Sequence, residues 1–297
     1  MAKVGLIDVD GNNFPNLALM KISAYHKTLG DEVEWWWGWS RYDRVYISKV
    51  FDETYSADIP DPVNAIEIIR GGTGYGLDNK LPDEVEHMCP DYSLYPELAK
   101  DTAYGFLTRG CPNNCPFCIV CAKEGRKSCK VADLSEWWRG QKNIVLCDPN
   151  ILACREHMDL LRQLADSKAS VDINQGLDAR LLTVENIEAI KRIRLSKIHF
   201  AWDLMKNTDA IIAGLNLWKR HGKKVSGSYG MVYVLVNFDT TMEENLYRIY
   251  TLRDMGFDSY VMVYDKPNAP VEIRDLQRWC NSKFIFKSCP DFRDYKT

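Results

Sequence analysis

From Ala103 onward, short apolar runs alternate with stretches of helical spacing, and this alternation restricts the fold more than any other feature of the sequence. Six runs are rich in β-branched and aromatic residues: 103–108, 143–148, 169–174, 197–203, 230–238 and 259–265. Strands that alternate with helices form parallel sheets, because each helix returns the chain to the same end of the sheet. The succession therefore predicts a parallel barrel or an open partial barrel, with its chemistry at the carboxyl ends of the strands.

The first part of the chain shows a shorter version of the same alternation. Strands are predicted at four runs: 4–10, 31–36, 45–51 and 65–72. Between the first two, residues 17–30 have helical spacing and end on Gly30, which suits a helix C-terminus. This order predicts a small, mostly parallel open sheet, and ligands bind such sheets at the loops that follow the strands. Here those loops are DGNNF (10–14) and GGTGYG (71–76).

These patterns divide the chain into two predicted domains of an α/β protein. We expect a small Rossmann-like, parallel-sheet domain at residues 1–88, a polar, proline-bearing linker at 89–102, and a partial (βα)6 barrel at 103–297. With 297 residues, the chain is long enough to bury a substantial core.

Composition narrows the class of protein further. The net charge is −3, so no overall positive field attracts nucleic acid or an anionic membrane, and no apolar run approaches the roughly 20 residues that span a bilayer. The N-terminus MAKVGLIDVD lacks the basic-then-apolar layout of a signal peptide. We therefore expect a cytoplasmic protein whose ten cysteines are reduced and free for metal binding or catalysis.

The stretch CPNNCPFC places Cys111, Cys115 and Cys118 in one tight loop directly after the first predicted barrel strand. A zinc site usually needs four ligands in closely spaced pairs, and only Cys121 is near enough to complete a set. A ferredoxin-like electron carrier also needs four cysteines. Three thiolates on a four-iron cluster would leave one iron without a protein ligand, and an open coordination position is where a small molecule can bind and react.

The spacing Cys111-x3-Cys115-x2-Cys118, with Phe117 immediately before the last cysteine, resembles that of the radical S-adenosylmethionine (SAM) superfamily. The stretch FLTRGCPNNCPFC is especially similar to members that carry an N-terminal cobalamin-type domain. The resemblance implies a [4Fe-4S] cluster held by the three cysteines, whose fourth iron is chelated by the amino and carboxylate groups of SAM. One-electron reduction, by a donor such as flavodoxin or ferredoxin, would cleave SAM to methionine and a 5′-deoxyadenosyl radical that abstracts a substrate hydrogen.

In this superfamily, residues at strand ends hold SAM, and the resemblance implies similar roles for polar residues at the corresponding positions here. Besides Phe117, the candidates are Asp148, Asn150, Asn174, Gln175, Asp178 and Arg180. The usual Gly-Gly-Glu motif for the amino group is absent, so individual roles are not assigned, and some of these residues could instead cap helices.

The N-terminal sheet resembles a cobalamin-binding domain but lacks its Asp-x-His-x-x-Gly motif, and the nearest histidine, His26, lies within the predicted helix. Without an imidazole ligand for cobalt, we expect no cobalamin. The domain is instead expected to act as a lid that contributes substrate contacts from Asp10, Asn12, Asn13, Phe14, Gly72 and Tyr75. The alternative is that the glycines only permit tight turns, and no Walker lysine follows GGTGYG to indicate phosphate binding.

The aromatic stretch WWWGW (35–39) has two interpretations. It could be a platform on which nucleic-acid bases stack. A half-buried strand end or a subunit contact is the more usual role of such residues, and a subunit contact would be consistent with a homodimer.

Two families that share the cysteine motif suggest different reactions. A methylthiotransferase that modifies tRNA would need further cysteines in its N-terminal domain and a C-terminal RNA-binding domain, and we expect neither in this chain. We also expect no direct binding of nucleic acid. The beginning DVDGNNFPNLALMKISAYHK resembles a family of short radical SAM proteins that includes bacterial queuine lyase. That resemblance implies a small purine-like substrate, queuine, cleaved to its aminomethyl-deazaguanine base for salvage into tRNA. Asp203, Tyr264 and Asp265 are candidates to hold its hydroxyl groups.

Overall fold

The structure, a computed structural model, describes residues 1–11, 13–224 and 230–296. Its strands are β1 (Lys3–Asp8), β2 (Glu32–Trp35), β3 (Tyr42–Ser48), β4 (Ala65–Gly71), β5 (Thr102–Gly105), β6 (Thr108–Arg109), β7 (Cys129–Lys130), β8 (Asn143–Leu146), β9 (Ser170–Leu177), β10 (Leu195–Ala201), β11 (Gly230–Val236) and β12 (Ser259–Val263). Its α-helices are α1 (Leu17–Thr28), α2 (Asp83–Glu86), α3 (Pro96–Ala99), α4 (Val120–Glu124), α5 (Leu134–Trp137), α6 (His157–Asp166), α7 (Val184–Arg192), α8 (Thr208–His221), α9 (Met242–Met255), α10 (Val271–Asn281) and α11 (Lys283–Ser288).

The strands form two larger sheets and one short ribbon. One sheet has the order β2-β1-β3-β4, the other has the order β12-β11-β10-β9-β8-β5, and β6 pairs with β7. The pairings described within the two larger sheets are parallel, whereas the β6–β7 ribbon is antiparallel. The predicted α/β class with parallel sheets is confirmed.

The chain divides into two compact units. Unit 1 comprises Met1–Leu107, Ala122–Glu124 and Val131–Val145. Unit 2 comprises Thr108–Cys121, Gly125–Lys130 and Leu146–Thr297.

Helix α1 covers one face of the four-stranded sheet in unit 1. Asn16 caps the helix by accepting from the Leu19 N–H at 3.2 Å, and its amide donates to the Ser48 hydroxyl at the end of β3 at 2.9 Å. The helix ends at Thr28 with Leu29 as its C-cap, and Gly30 then takes a left-handed φ of +79°, as expected of a glycine after a helix. Residues expected as a linker pack into this unit, since Leu94 and Ala99 lie in the core cluster of Val4 and Leu6.

His26 is a structural residue of this unit. It is buried, with Nδ1 2.8 Å from a carboxylate oxygen of Asp31 and Nε2 2.9 Å from the Tyr46 hydroxyl. Both ring nitrogens therefore have partners within the fold.

In unit 2 the strands alternate between a helix-covered face and an opposite face. On the covered face, Phe200 of β10 packs edge-to-face against Trp218 of α8, with ring centroids 5.2 Å apart, and Val232 and Val261 are fully buried. The intervening residues face the other way. The register between β9 and β10 shifts between Leu195 and Lys197 and again between Ile198 and His199.

Among the described residues, no helix is both long enough and apolar enough to cross a membrane.

Candidate functional site

The cysteine loop is closed by its own flanking residues. Strands β6 and β7 pair Thr108 with Lys130 and Arg109 with Cys129. Gly110 follows with a φ of +84°, and a Cβ there would lie 2.2 Å from the Lys127 carbonyl oxygen, so only glycine permits this approach. The loop is therefore a local structure within unit 2.

The three cysteines of the motif lie close together in this loop. The Cys118 N–H donates to the Cys115 carbonyl at 3.0 Å. Burial, together with the neighbouring Cys118 and Cys111, raises the pKa of the Cys115 thiol to about 11. Burial also raises the pKa of Cys118, again with a contribution from Cys111. The three thiols are thus near enough to interact electrostatically.

In the part of the chain that the structure describes, no group of three or more His, Cys, Asp or Glu residues surrounds the position of a single metal ion. An iron–sulfur cluster requires a different arrangement of ligands. Each cysteine binds a different iron, so the thiolates surround the whole cluster and need not converge on one ion. Three half-buried thiols on one loop, with donors beside them, suit that chemistry.

Cys121 lies beside the same loop but has a local partner. Its thiol donates to the Cys111 carbonyl oxygen, with a sulfur–oxygen distance of 3.0 Å. This contact gives Cys121 a role in holding the loop that requires no metal.

A network of polar side chains surrounds Cys111. The Asn150 amide nitrogen lies 3.6 Å from the Cys111 sulfur and 3.5 Å from a carboxylate oxygen of Asp178. Asp178 also accepts from the Asn113 amide at 2.9 Å and from the Arg180 guanidinium at 2.6 and 2.7 Å. Three of the predicted SAM residues are therefore brought together at the cysteine loop, and Asn113, inside the cysteine motif, joins them.

Charge at this network is balanced between Asp178 and Arg180. Burial alone would raise the pKa of Asp178, but hydrogen bonds from Arg180 and Asn113 outweigh it and lower the pKa. Arg180 also interacts electrostatically with Cys115 and Cys111. A guanidinium in this position would favour the thiolate forms of the cysteines.

Asn150 carries an unsatisfied acceptor. The residue is only 3% exposed, and its side-chain oxygen Oδ1 is buried with no hydrogen-bond partner in the structure. An unpaired buried carbonyl costs free energy, so a donor from a bound molecule would stabilise this arrangement.

Asp148 supports the loop rather than facing an open space. It is buried, and one of its carboxylate oxygens accepts from both the N–H of Thr108 at 2.8 Å and the hydroxyl of Thr108 at 2.6 Å. Since Thr108 starts the β6–β7 ribbon, this carboxylate anchors the base of the cysteine loop.

Two other predicted SAM residues have free side chains. The amides of Asn174 and Gln175, at the carboxyl-terminal part of β9, make no hydrogen bond among the described residues, and Gln175 is exposed. These groups are available to a ligand.

Asp203, which follows β10, lies within electrostatic reach of Cys115 and Cys118. Burial raises its pKa to about 6, although the Leu235 N–H, 3.2 Å away, and the charge of Arg248 oppose the rise. This carboxylate therefore interacts with the cysteine loop, and its role in holding substrate hydroxyls stays a prediction.

A row of aromatic rings connects the cysteine loop to the ends of β11 and β12. Phe117 packs edge-to-face on Phe238, with centroids 5.5 Å apart, and Phe238 packs in the same way on Tyr264 at 4.9 Å. Phe117 and Tyr264 were predicted site residues, and Phe238 was not. Asp265 has a φ of +46° and accepts from the Asn268 amide at 3.0 Å, so its carboxylate already has a local partner.

The face of the sheet opposite the helices carries a polar cluster that sequence patterns did not reveal. His199 is 5% exposed and stacks on Tyr233, with centroids 4.9 Å apart and planes inclined by 17°. Its Nε2 lies 3.8 Å from a carboxylate oxygen of Asp172, while its Nδ1 has no hydrogen-bond partner within the described part of the chain. The three residues lie on three adjacent strands, and only the sheet order brings them together.

Arg248 is a second residue that the sequence analysis missed. It is fully buried in α9 and donates to the carbonyl oxygens of Trp202, Asp203 and Leu235 at 2.6–2.9 Å. It therefore fixes the strand ends that carry Asp203.

The remaining predicted substrate residues belong to unit 1. One carboxylate oxygen of Asp10 accepts from the Val50 N–H at 2.5 Å, and the other is buried without a partner. Asn13 is exposed, Phe14 packs edge-to-face on Tyr104 at 5.0 Å, and Asn12 lies outside the described residues.

The two candidates at the end of β4 are differently placed. Gly72 has a left-handed φ of +95°. The Tyr75 hydroxyl is already engaged, since it donates to Asp58 at 2.5 Å and accepts from Arg70 at 2.8 Å. Tyr75 can therefore offer its ring to a ligand but not a free hydroxyl.

In comparisons with known proteins, no protein-family model matches the chain, and no curated protein matches it significantly. Function is therefore inferred from the residues of this chain.

Proposed function

We propose that this protein is a radical SAM enzyme that acts on a small, polar, purine-like substrate, and that queuine lyase is the particular activity. The observation that carries the proposal is the local loop that groups the thiols of Cys111, Cys115 and Cys118 without a fourth cysteine of equivalent spacing. In the same proposal, the six-stranded sheet of parallel strands is the partial barrel of that superfamily, and the four-stranded sheet is a Rossmann-like, cobalamin-type domain.

The residues beside the loop fit a [4Fe-4S] cluster with SAM. Cys111, Cys115 and Cys118 would hold the cluster, which when bound supplies an electron and an open iron position for SAM. The amide of Asn150 donates toward the Cys111 sulfur, and donors to sulfur are among the groups by which proteins tune such clusters.

The free polar groups of unit 2 would hold SAM. The unsatisfied Oδ1 of Asn150 accepts a hydrogen bond from a ligand N–H or O–H, and the amides of Asn174 and Gln175 can both donate and accept. Arg180 is held by Asp178, which orients its guanidinium beside the thiols.

The groups that suit a flat substrate with hydroxyls lie at the ends of β10, β11 and β12. Phe238 and Tyr264 offer ring surfaces, Tyr264 is 41% exposed, and its hydroxyl has no partner among the described residues. Asp203 adds a carboxylate that can accept from hydroxyl groups.

The cluster is tested first. Anaerobically reconstituted protein should hold about four irons and four sulfides per chain, and replacing Cys111, Cys115 and Cys118 together by Ala should remove the iron and abolish formation of 5′-deoxyadenosine. Cys121→Ala is the matched control and should keep the iron, because the Cys121 thiol donates to the loop backbone and is assigned no ligand role. Full iron content in the triple variant would contradict the assignment, and iron loss in Cys121→Ala would favour a four-cysteine site.

The substrate is tested separately. Anaerobic enzyme given queuine, SAM and dithionite should release the aminomethyl-deazaguanine base, followed by mass spectrometry. Tyr264→Phe keeps the ring contact with Phe238 but removes the hydroxyl, so it should slow base release by about tenfold and leave uncoupled SAM cleavage intact. Tyr247→Phe, an exposed tyrosine on α9, is the control. If 5′-deoxyadenosine forms but queuine is never cleaved, the lyase proposal fails while the radical SAM proposal stands.

A further inference from the structure

Lys49, the residue after β3 in unit 1, has a buried stem and an ammonium group without a hydrogen-bond or ion-pair partner among the described residues. It is 1% exposed, yet its ammonium group makes no hydrogen bond and no ion pair among the described residues. An ammonium group that the protein leaves without an ion-pair partner can take its counter-charge from an anionic ligand. No predicted role in the sequence analysis used this lysine.

An aromatic ring lies beside the ammonium group. The Lys49 nitrogen lies 5.7 Å from the centroid of the Tyr75 ring. Asp58 interacts with it electrostatically, and the Asp58 carboxylate already accepts from the Tyr75 hydroxyl at 2.5 Å and from the Ile59 N–H at 2.8 Å. Arg70 also lies over the Tyr75 ring at 5.2 Å and adds a second positive charge, although it is paired with Asp61.

Two glycines of GGTGYG lie close to the backbone that follows β3. A Cβ at Gly72 would lie 2.3 Å from the Lys49 carbonyl oxygen, and a Cβ at Gly74 would lie 2.2 Å from the Phe51 carbonyl oxygen and 2.8 Å from the Lys49 side-chain carbon Cγ. The Gly74 N–H donates to the same Lys49 carbonyl at 2.9 Å. The loop therefore wraps closely around the lysine, which a side chain at either glycine would prevent.

The same loop offers free donors. The N–H groups of Gly72 and Thr73 make no hydrogen bond among the described residues, and the Thr73 hydroxyl accepts from the ammonium group of Lys123, also in unit 1. Adjacent unpaired N–H groups in a turn are typical of anion-binding loops in proteins.

The loop and the lysine occupy the usual ligand position of an open parallel sheet. In the order β2-β1-β3-β4, the chain places β2 on one side of β1 and β3 on the other, so the topological switch lies between β1 and β3. Ligands of such sheets bind outside the carboxyl ends of the strands at that point. Lys49 is the first residue beyond the carboxyl end of β3, and the loop follows the carboxyl end of the neighbouring β4.

We propose that the 72–74 loop and Lys49 form a binding site for an oxyanion, the phosphate or carboxylate group of a small molecule. The Lys49 ammonium supplies the charge, and the Gly72 and Thr73 N–H groups supply neutral donors. The lysine comes from a different strand than the glycines, so a search for a glycine-rich motif followed by lysine cannot find it. The site uses no residue of the cysteine loop, so its test does not depend on an iron–sulfur cluster.

The experiment compares the unaltered protein with Lys49→Met by isothermal titration and by thermal unfolding, with inorganic phosphate and, separately, acetate at constant ionic strength. Methionine keeps an unbranched stem beneath Gly74 and removes only the charge. In the unaltered protein, at least one of the two anions should bind saturably and raise the midpoint of thermal unfolding. Lys49→Met should weaken that binding by about tenfold to a hundredfold. Lys100→Met, an exposed lysine of the same unit, should bind as the unaltered protein does.

A second measurement does not depend on how the variant folds. In lysine-labelled protein, the anion that binds should shift the resonance of Lys49 and leave that of Lys100 unchanged. Binding of phosphate alone would identify a phosphoryl group as the ligand, and binding of acetate alone a carboxylate. The proposal is overturned if neither anion binds saturably, or if Lys49→Met binds as tightly as the unaltered protein.

Discussion

At the scale of single residues, the polar cluster around His199 should make stability depend on pH. Burial lowers the pKa of His199 below its usual 6.5, Lys197 lowers it further, and Asp172 opposes the shift only in part. As the pH falls through about 6.5, the unfolded chain takes up a proton that the folded chain resists. The unfolded state then binds more protons, so the free energy of unfolding decreases with falling pH.

We therefore expect the free energy of unfolding to decrease as the pH falls from about 7.5 to about 5. The decrease should be larger in the unaltered protein than in His199→Asn, because asparagine cannot become charged. Urea unfolding at a series of pH values measures this difference. His87→Gln, at a histidine whose side chain is 60% exposed, is the control and should follow the unaltered protein. Parallel pH profiles for the unaltered protein and His199→Asn would contradict the prediction.

A site residue can be predicted from the sequence when its partners lie near it along the chain. The cysteine loop was identifiable because Cys111, Cys115 and Cys118 lie within eight residues. Lys49 and His199 gave no such signal, since each owes its environment to residues on other strands, and a lone lysine or histidine has no distinctive pattern. Asn113 lay inside the recognised motif, and its position between the cysteines was the signal that could have marked it.

At the scale of secondary structure, Arg248 holds helix α9 to the ends of two strands. Replacing it with Met would leave the carbonyl oxygens of Trp202, Asp203 and Leu235 buried without their donor, at about 1–3 kcal/mol each. We expect Arg248→Met to lower the free energy of unfolding by at least about 3 kcal/mol, measured by urea unfolding. Arg220→Met, at an exposed position of α8, should change it by less than about 0.5 kcal/mol, and an equal loss in both variants would contradict this role.

The longer elements were predicted correctly because their periodicity is contained in the segment itself. The runs at 4–10, 230–238 and 259–265 all contain strands, with ends displaced by a few residues. The β6–β7 ribbon was missed because each of its strands has only two residues, which is too short to show alternation. The register shifts between β9 and β10 were missed because register depends on how two distant segments meet.

At the scale of the whole molecule, the absence of a histidine ligand leads to a prediction about cobalamin. His26, the histidine nearest to the loop after β1, has both ring nitrogens engaged with Asp31 and Tyr46, so it cannot bind cobalt without losing these contacts. We expect protein incubated with cobalamin to show no corrinoid absorbance after desalting. A stoichiometric corrinoid in the desalted protein would mean that the sheet binds the cofactor without an imidazole ligand.

The β6–β7 ribbon that closes the cysteine loop also has a consequence for the order of events during synthesis. The three thiols and the ribbon lie within residues 108–130, so this segment can close on itself soon after it leaves the ribosome, since short loops close in well under a microsecond. Asn150, Asp178 and Arg180 emerge later and reach the loop only when the slower parallel pairing of the sheet has formed. In the proposed enzyme, iron could therefore meet the cysteines before the groups that will surround them are in place, and loading of the proposed cluster could precede the completion of folding.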